Sequence, residues 1–415
     1  MRPRGMRAGL GVCMALAAAV LALAACAAQS GAGGVSSKGG SDTPIRLMVD
    51  ETETPAAALG GLAFPYSGYG AKAAAAAINE KGGINGHPVL IDVCDNQGSP
   101  DQSATCGREA RQNGDIAVVG SEDIVGAAAI LPVLQAESIP YIGADATSAV
   151  ELSNPMTFTF DPAANFAVAV GSLWEQQDCR HVVLLSPNAG PGGELVSAMQ
   201  AFAQKKHIPF TLVPISITLV DASAPVATVI SDHPDCVTVA GAGQSVVKLI
   251  AGLRQAGYTG KIMTSAGTLL PSLLPALGSL GNGVLVTSTV LLPNSKDPLV
   301  TEYRDDMTTL MGAKQAAQNL NEFSQDGWSS VDLVDQALTI AKADSSAALL
   351  KTLPKMCDVN VGNVYPDIDF CKPVLKSSVY PRLYNDEVRY YVAEGGQYAP
   401  LDNKWHNIGA TVPTS

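Results

Sequence analysis

Residues 70–106 constrain the fold more than any other stretch of this sequence. Residues 71–77 are alanine apart from Lys72, and alanine is the residue that costs least in a helix. Its small side chain also lets such a helix lie close against a sheet. Residues 81–83, Lys-Gly-Gly, place a cation and glycines where a helix ends. Residues 88–93 are a short apolar run between turn residues, which predicts a strand covered on both faces.

Apolar runs and helical patterns alternate along the rest of the chain, which predicts an α/β fold with doubly wound parallel sheets. In the first half the predicted strands are residues 45–50, 89–93, 116–119, 140–142 and 158–160. Asp161 and Pro162 interrupt the pattern, and we expect the chain to cross into a second unit there. The pattern then restarts, with predicted strands at 181–185, 210–217, 236–240, 261–264 and 284–288, and with a helical segment at 269–277.

Two segments carry a resemblance to a known family. Residues 77–89 read Ala-Ile-Asn-Glu-Lys-Gly-Gly-Ile-Asn-Gly-His-Pro-Val, and residues 95–100 read Asp-Asn-Gln-Gly-Ser-Pro. Together they resemble the signature of type I periplasmic binding proteins, the family of the branched-chain amino-acid binding proteins of ABC importers. The resemblance extends with varying strength over about residues 45–345. It implies two doubly wound lobes joined by a multi-strand hinge, a small-molecule solute as ligand, and a membrane ABC permease as partner.

The expected organisation has a first lobe interrupted by a second. Its parts are the first part of lobe 1 at residues 44–162, lobe 2 at 163–290, a return to lobe 1 at 291–354 and a C-terminal segment at 355–415. The family's order implies that helices near 298–311 and 325–342 pack on lobe 1. We expect the C-terminal segment, with a strand at 388–392, to close over the hinge and the lobes. Lobes joined by several crossings can close as a hinge, because few residues absorb the change.

The amino-terminal residues resemble a bacterial lipoprotein signal. Three arginines among the first seven residues precede an apolar run at 10–24, and small residues directly precede Cys26. This pattern predicts a signal peptide at residues 1–25, lipidation of Cys26, and a flexible tether of Gly, Ser and Ala at 26–43. The alternatives are an ordinary signal peptide with an incidental cysteine, or a membrane anchor. The apolar run is short for a span, since about 20 residues are needed.

Charge and motifs exclude several classes of function. The formal net charge of −12 disfavours binding of nucleic-acid phosphates. The sequence has no Gly-x-Ser-x-Gly elbow, no His-Glu-x-x-His motif and no phosphate-binding Gly-x-x-x-x-Gly-Lys loop. Adjacent acids such as Asp305 and Asp306 are commonly solvated helix charges. We therefore expect no enzyme activity, no cofactor, no metal and no nucleic-acid partner.

Six cysteines remain besides Cys13 and Cys26, an even number that fits an oxidising compartment. Among the 15 pairings that six cysteines allow, spacing favours one set. The favoured pairs are Cys94–Cys106, Cys179–Cys236 and Cys357–Cys371. A zinc site is the alternative, but the sequence contains no Cys-x-x-Cys pair and its five histidines are scattered.

In open α/β sheets, ligands bind at the carboxyl ends of the strands. That rule selects the loops at residues 50–67, 120–123, 143–147, 186–193, 240–244 and 265–267. The cleft between the two lobes is the expected site. The candidate ligand-binding residues are Tyr66, Ser121, Glu122, Asp145, Ala146, Thr147, Asn188, Gly241, Gln244, Ser265 and Trp328.

The candidates of lobe 1 have competing interpretations. The loop at 120–123 follows a strand and starts a helix, so the Ser121 hydroxyl and backbone N–H groups can hold a carboxylate. The alternative is a plain helix cap with acids that complement the dipole. Residues 143–147 match a ligand loop of the family in which Thr147 supplies a hydroxyl. Asp145 departs from the family pattern, and either receives a ligand amine or hydroxyl or stabilises the turn.

The candidates of lobe 2 suggest a ligand other than a standard amino acid. The loop that contains Asn188 lacks the tyrosine that relatives often present there. The loop at 240–244 has no carboxylate to pair with a ligand ammonium, although Gln244 can bond a neutral group. On the returning helix, Trp328 either walls the pocket or packs in the core. Tyr66 is a candidate lid.

We therefore predict an extracytoplasmic, lipid-anchored solute-binding protein at the outer face of the bacterial cell membrane. It captures a small polar solute, amino-acid-like or amide-like, and delivers it to an ABC importer. Two alternatives stay open. One is a receptor lipoprotein that passes its closed state to a signalling partner, and the other is an envelope interaction protein without a transport role.

Overall fold

Two separate β-sheets with flanking helices organise the chain. The computed structural model describes residues 43–162, 166–187, 191–294 and 297–409, without the side chains of residues 191, 192 and 194. The predicted signal peptide, Cys26 and nearly all of the predicted tether lie outside the described residues, and so does Asn188.

Lobe 1 is built on a five-stranded parallel sheet with the order β2-β1-β3-β4-β5. Its strands are β1 (Ile45–Glu51), β2 (Val89–Asp95), β3 (Val118–Val119), β4 (Tyr141–Ile142) and β5 (Thr157–Phe158). The helices between them are α1 (Ser67–Glu80), α2 (Pro100–Asn113) and α3 (Ala127–Glu137). β3 and β4 begin later than the sequence predicts and end at the predicted residues, where Gly120 and Gly143 turn the chain out of the ladder with φ of 55° and 65°.

Lobe 2 contains the larger sheet, whose parallel strands have the order β10-β9-β8-β6-β7. Its parallel strands are β6 (Val182–Ser186), β7 (Phe210–Pro214), β8 (Cys236–Val239), β9 (Lys261–Ser265) and β10 (Val284–Ser288). Its helices are α4 (Phe166–Gln176), α5 (Pro191–Lys206), α6 (Ser223–Asp232), α7 (Gln244–Gln255) and α8 (Leu274–Leu277). Residues 269–277 are therefore not one helix, since prolines at 271 and 275 and Gly278 leave room for a 3-10 turn and one α-turn.

The chain then returns to lobe 1. The returning helices are α9 (Thr301–Met311), α10 (Ala313–Asn319), α11 (Glu322–Ala341) and α12 (Ser346–Thr352). α9 and α11 both pack on α1. In the described part of the chain, no helix combines the length and the apolar character that crossing a membrane requires.

The C-terminal residues extend lobe 2. β11 (Glu387–Glu394) pairs antiparallel with β10, and β12 (Gln397–Pro400) and β13 (His406–Asn407) pair antiparallel with β11. Gly395 and Gly396 form the turn of the β11–β12 hairpin, with φ of 58° and 77°. The single strand predicted at 388–392 is thus one of three strands added to the sheet.

Helices α1 and α11 approach each other backbone to backbone. A Cβ atom at Gly70 would collide with the carbonyl group of Ser324, and one at Gly327 would collide with the carbonyl oxygen of Ser67. The alanine-rich helix was expected to lie close against a sheet, and its tightest contact is instead with a helix. Small side chains allow close packing on a sheet and on a helix alike, because they let two backbones come within van der Waals distance.

Three chain crossings lie side by side between the lobes. The first follows β5, the second follows β10, and the third precedes β11. Thr289 Oγ1 of the second crossing donates to Asp161 Oδ1 of the first at 2.7 Å. Asn385 Nδ2 of the third donates to the carbonyl oxygen of Phe160 at 2.9 Å. The crossings are therefore tied into one hinge.

The disulfide pairing predicted from spacing is confirmed. The structure contains bridges Cys94–Cys106, Cys179–Cys236 and Cys357–Cys371. Cys357, Asp369 and Cys371 lie close enough together to suggest a metal site. The sulfur atoms of Cys357 and Cys371 are bonded to each other, so this pair is a disulfide and not a pair of thiolate ligands.

Removing the longer-range bridge should cost more free energy of unfolding than removing the local one. Cys179–Cys236 spans 57 residues and Cys357–Cys371 spans 14, and a cross-link restricts the unfolded chain more when its loop is longer. We expect a loss of roughly 4 kcal/mol for Cys179→Ala/Cys236→Ala and roughly 3 kcal/mol for Cys357→Ala/Cys371→Ala. Urea denaturation measures both. A reversed order would show that chain entropy does not govern these bridges.

Candidate functional site

The loops that follow the strands of lobe 1 lie next to one another at the edge facing lobe 2. Glu51, the last residue of β1, forms an isolated parallel bridge with Glu122. The Glu122 N–H donates to the Asp50 carbonyl oxygen at 3.2 Å, and the Asp145 N–H donates to the Ser121 carbonyl oxygen at 3.1 Å. The loops after β1, β3 and β4 are therefore held as one surface.

An apolar cluster joins the two lobes over this edge. Its buried members are Ala56, Leu59, Phe64, Leu270 and Phe323. Leu270 comes from lobe 2, and the others come from lobe 1. The Phe323 ring lies edge-on to Phe64 and stacks on Tyr66, with centroid distances of 6.2 Å in both cases. The loop before α1 and the start of α11 thus form an aromatic wall beside lobe 2.

Four acidic residues form what we call the acidic cluster: Glu51, Glu122, Asp145 and Glu322. Glu122 is at its centre and is 2% exposed. Neither of its carboxylate oxygens has a hydrogen-bond partner among the described residues. Burial, and then the charges of Asp145, Glu51 and Glu322, hold the pKa of Glu122 well above its usual range. An ionised Glu122 is therefore costly unless a positive charge enters the cluster.

Glu51 is bound by the start of α1. Its Oε2 accepts from the Gly68 N–H at 3.0 Å, a donor at the positive end of the helix. Burial nevertheless raises the pKa of Glu51 to about 8, although the Gly68 N–H and the charge of Lys72 oppose this rise. Desolvation thus outweighs both favourable contacts.

Glu322 connects the lobes. It is the first residue of α11, and its Oε2 accepts from Ser288 Oγ of lobe 2 at 3.4 Å. The Gly267 N–H, also of lobe 2, stabilises its ionised form. Burial and then the charge of Asp161 still raise the pKa of Glu322 well above its usual range. Since these contacts cross the cleft, Glu322 is sensitive to lobe closure.

A second acidic group lies at the hinge. Asp326 accepts a short hydrogen bond from the Tyr365 hydroxyl. Burial, and then the charges of Asp161 and Asp145, hold the pKa of Asp326 well above its usual range. Burial also raises the pKa of Asp161 to about 6, against hydrogen bonds from Thr289 and Asp326 that lower it. The raised pKa of Asp326 favours its neutral form, which can donate to Asp161.

The same pairing of carboxyl groups occurs away from the cleft. Asp115, which precedes β3 at the opposite edge of the sheet, faces Asp92 of β2. Burial and the hydrogen bond to Asp92 raise the pKa of Asp115 to about 8, and the charge of Arg46 lowers it. Arg46 Nη2 lies 2.6 Å from Asp92 Oδ2. Buried carboxyl groups are therefore a general feature of lobe 1, but this pair has a cation beside it.

Some predicted site residues lie in or beside the acidic cluster, and others support it. Glu122 and Asp145 are members of the cluster. Burial, and then the charge of Glu122, raise the pKa of Tyr66. Ser121 donates to the Asp50 carbonyl oxygen at 2.7 Å and is buried, so its hydroxyl holds the loop in place. Ala146 is fully buried in the core of the structure.

Thr147 is occupied within its own loop. Its N–H donates to Glu151 Oε2 at 3.0 Å, and its hydroxyl approaches the same oxygen at 3.4 Å. Burial raises the pKa of Glu151 to about 7, although these and other donors lower it. The structure thus gives Thr147 a role in holding Glu151.

The predicted residues of lobe 2 lie in neutral loops. Ser265 Oγ donates to Thr268 Oγ1 and accepts from the Thr268 N–H, both at 3.1 Å. Gly241 has a φ of 157° and is half-buried, and Gln244 is exposed at the start of α7. Lobe 2 therefore offers hydroxyl and backbone groups to the cleft.

Trp328 lies away from the acidic cluster. Its side chain is 5% exposed, and its indole N–H donates to Asp306 Oδ2 of α9 at 2.9 Å. It packs edge-on to Tyr303 with a centroid distance of 5.9 Å. Trp328 therefore packs in the core, which was the alternative to a place in the pocket wall. The same helix instead presents Glu322 and Phe323 at the cleft.

Two surface hollows of lobe 1 lie elsewhere. One, of about 740 Å³, is lined by residues from 336 to 360 of α11, α12 and the following loop. The other, of about 660 Å³, is lined by Tyr69 and residues 311–319. Neither contains a member of the acidic cluster. Glu51 and Glu122 are buried, whereas Asp145 and Glu322 are half-buried.

Residues 54–372 match the family model described as "Periplasmic binding protein". The chain belongs to this family. The fold is the type I fold of the branched-chain amino-acid binding group, so the resemblance read from residues 77–89 and 95–100 is confirmed. As a member, the protein is an extracytoplasmic solute-binding protein of the ABC-transporter type and not an enzyme.

Solved structures share this fold at low identity. A leucine binding protein of Thermotoga maritima is 15% identical with a TM-score of 0.69, covering 86% of this chain and 98% of that chain. An R. palustris solute-binding protein in complex with 4-hydroxybenzoate is 15% identical with a TM-score of 0.71, covering 88% and 97%. A fatty acid ABC transporter substrate-binding protein of Thermomonospora curvata is 15% identical with a TM-score of 0.72, covering 90% and 96%. No curated protein sequence matches the chain.

The free energy of unfolding should fall as pH rises from about 5 to 8. The folded-state pKa values are about 6 for Asp161, about 7 for Glu151 and about 8 for Glu51 and Asp115, against roughly 4 in an unfolded chain. The folded protein binds more protons in this range, so this stabilisation is complete below about pH 4 and is lost through pH 6–8. Urea denaturation at pH 5, 6.5 and 8 and constant ionic strength measures it. A free energy of unfolding that rises with pH over this range would contradict the raised pKa values of these four carboxyl groups.

Proposed function

We propose that this protein is the lipid-anchored binding component of an ABC importer and captures a small polar solute, amino-acid-like or amide-like, between its lobes. The observation that carries the proposal is the convergence of both lobes on the acidic cluster. Glu322 of lobe 1 contacts Ser288 of lobe 2, and Phe323 packs with Leu270. The named compounds of the structural neighbours, leucine, 4-hydroxybenzoate and fatty acid, support capture of a small solute and indicate that the fold accommodates varied ligands.

Binding works through closure of the hinge. A solute that touches both lobes is bound fully only in the closed state, because only that state makes both sets of contacts. Shifting a two-state equilibrium from 1:99 to 99:1 requires about 10⁴-fold tighter binding to the favoured state. The bond between Thr289 and Asp161 ties two crossings together, so closure moves the lobes about a common hinge. The permease then recognises the closed form.

Lobe 2 favours a neutral polar part of the solute. Its loops at residues 240–244 and 265–270 contain no charged side chain. Ser265, Thr268 and the Gly267 N–H supply hydrogen-bonding groups near Glu322. An amide or hydroxyl group satisfies such donors and acceptors without a formal charge.

A screen for ligands tests the proposal. The protein is heated in the presence of amino acids, amides, amines, sugars and organic acids, and its melting temperature is recorded. A ligand at a hundredfold excess over Kd stabilises the native state by about 2.7 kcal/mol. A saturable shift within one chemical class supports solute capture. A flat screen on protein shown to be free of copurified ligand contradicts it and favours the envelope interaction protein.

The proposed lipid anchor rests on Cys26 and the small residues before it. We expect Cys26→Ser to move most of the protein from the membrane fraction to the soluble extracytoplasmic fraction, because the acylated residue is lost. Metabolic labelling with a fatty acid, followed by fractionation, measures the change. Cys13→Ser, within the predicted signal peptide, is the matched control and should leave labelling unchanged. Labelling that persists in Cys26→Ser would place the anchor elsewhere.

A further inference from the structure

We propose that the solute is an organic cation, an amine whose positive charge is not balanced by a carboxylate, and that Glu122 is its principal partner with Glu51 and Glu322 beside it. The inference rests on the proposed function and narrows its ligand class. It excludes a zwitterionic amino acid as the preferred solute, and it retains an amine that also carries an amide.

The first observation is the state of Glu122. Its side chain is 2% exposed, and both of its oxygens lack a hydrogen-bond partner in the described part of the chain. A buried carboxylate without a partner costs several kcal/mol in a folded protein. A group of this kind, placed in a loop at the carboxyl edge of a parallel sheet, is positioned to receive a donor from a ligand.

The second observation is the sign of the charge around Glu122. Its largest electrostatic neighbours are Asp145 on the loop after β4, Glu51 at the end of β1 and Glu322 on α11. Within the described ranges, no Lys, Arg or His forms an ion pair with Glu51, Glu122 or Glu322. The charge of Lys72 reaches Glu51, but the charged neighbours of Glu122 are carboxyl groups, so an incoming carboxylate meets mainly like charge there. An incoming ammonium group meets the opposite sign.

The third observation is the aromatic wall. Tyr66, whose titration senses the charge of Glu122, stacks on Phe323, and Phe323 lies edge-on to Phe64. Aromatic faces attract cations through the negative charge of their π-systems. The neighbouring Leu59 and Leu270 complete an apolar surface. The site therefore suits an amine with an apolar body better than a small, fully hydrated ion.

Lobe 2 does not reverse this preference. The lobe 2 loops that lie against lobe 1, at residues 240–244 beside Leu62 and 265–270 beside Glu322, carry no basic side chain. A solute carboxylate thus finds no basic side chain in these two loops. The polar groups of the second loop, the Gly267 N–H and the Ser265 hydroxyl, bond Glu322 and Thr268, and an amide or a hydroxyl of the solute can share them without a formal charge.

A matched series of solutes with one carbon skeleton isolates the charge. The full chain, purified in nonionic detergent, is tested at pH 8 by thermal shift and titration calorimetry. The probes are 3-methylbutylamine as cation, leucine as zwitterion, 4-methylpentanamide as neutral compound and 4-methylpentanoate as anion. Leucinamide, whose α-amino group is about half protonated at this pH, adds an amide to the amine, and putrescine, agmatine and choline are further cations. We expect saturable binding within the cations, at least tenfold tighter than for the zwitterion, and none for the anion.

Two variants separate the site from general stability. Glu122→Gln should weaken cation binding by about thirtyfold or more, because the charged partner of a buried pair is removed. It should also raise the melting temperature of the unliganded protein at pH 8, because an amide replaces a buried carboxyl group whose pKa is raised. Asp115→Asn is the matched control: it neutralises another buried carboxyl at the far edge of the same sheet, and it should raise stability while leaving the Kd unchanged.

Affinity for the cation should also increase with pH. Cation binding competes with protonation of Glu122, Glu51 and Glu322, whose pKa values are raised by burial. The charges of Asp145 and Asp161 add to this rise and that of Lys72 opposes it. A cation therefore binds more tightly at pH 8 than at pH 6. In Glu122→Gln this dependence should shrink. A neutral solute should show neither effect.

The outcomes distinguish the two proposals. Cation binding that Glu122→Gln abolishes, and Asp115→Asn preserves, supports the inference. Saturable binding of a neutral, zwitterionic or anionic solute in preference to every cation overturns the inference and leaves solute capture intact. Cation binding of equal strength in Glu122→Gln overturns the assignment of the site. The absence of any saturable ligand across all classes overturns the inference and the proposed function together.

Discussion

The close packing of α1 on α11 is the contact on which the site depends. Because Gly70 and Gly327 lack Cβ atoms, the two backbones meet. A Cβ at Gly120 would lie 2.6 Å from Gly327 Cα, so the loop after β3 also packs directly against the backbone of α11. This arrangement brings the first residues of α1, which bind Glu51, beside the first residues of α11, which carry Glu322. A larger residue at any of these glycines would separate the members of the acidic cluster.

The hinge and the cleft share one electrostatic environment. Asp161 lies on the first crossing, and its charge is felt by Glu322 and Asp326 of α11. Hinge geometry and the charge state of the cleft are therefore coupled, since a change in one alters desolvation in the other. The bond from Tyr365 to Asp326 adds the segment after α12 to this network. Closure consequently acts on several buried carboxyl groups at once.

The sequence was sufficient for features that depend on local pattern. Alternating apolar runs located the strands, cysteine spacing gave the three bridges, and the strand-end rule selected the loops that hold Glu122 and Asp145. It missed Glu322 and Phe323, because their position depends on a helix that returns from a distant part of the chain. Trp328 was chosen on that helix for its chemistry, but the helix turns it towards Asp306. The signal that could have helped was the four-residue spacing of Glu322 and Asp326, which places both on one face.

Lobe 1 concentrates acidic side chains at a buried edge, whereas the facing loops of lobe 2 are neutral. Each raised carboxyl pKa is a cost of keeping the folded chain ionised at neutral pH. A structure that only had to be stable would replace such groups with amides or hydrocarbon, since buried unpaired charge is rarely favourable. Keeping Glu122 without a partner among the described residues makes sense where a ligand supplies that partner. The same desolvation that weakens the unliganded protein then strengthens the interaction with a cation, because attraction between charges is larger in a low-dielectric site.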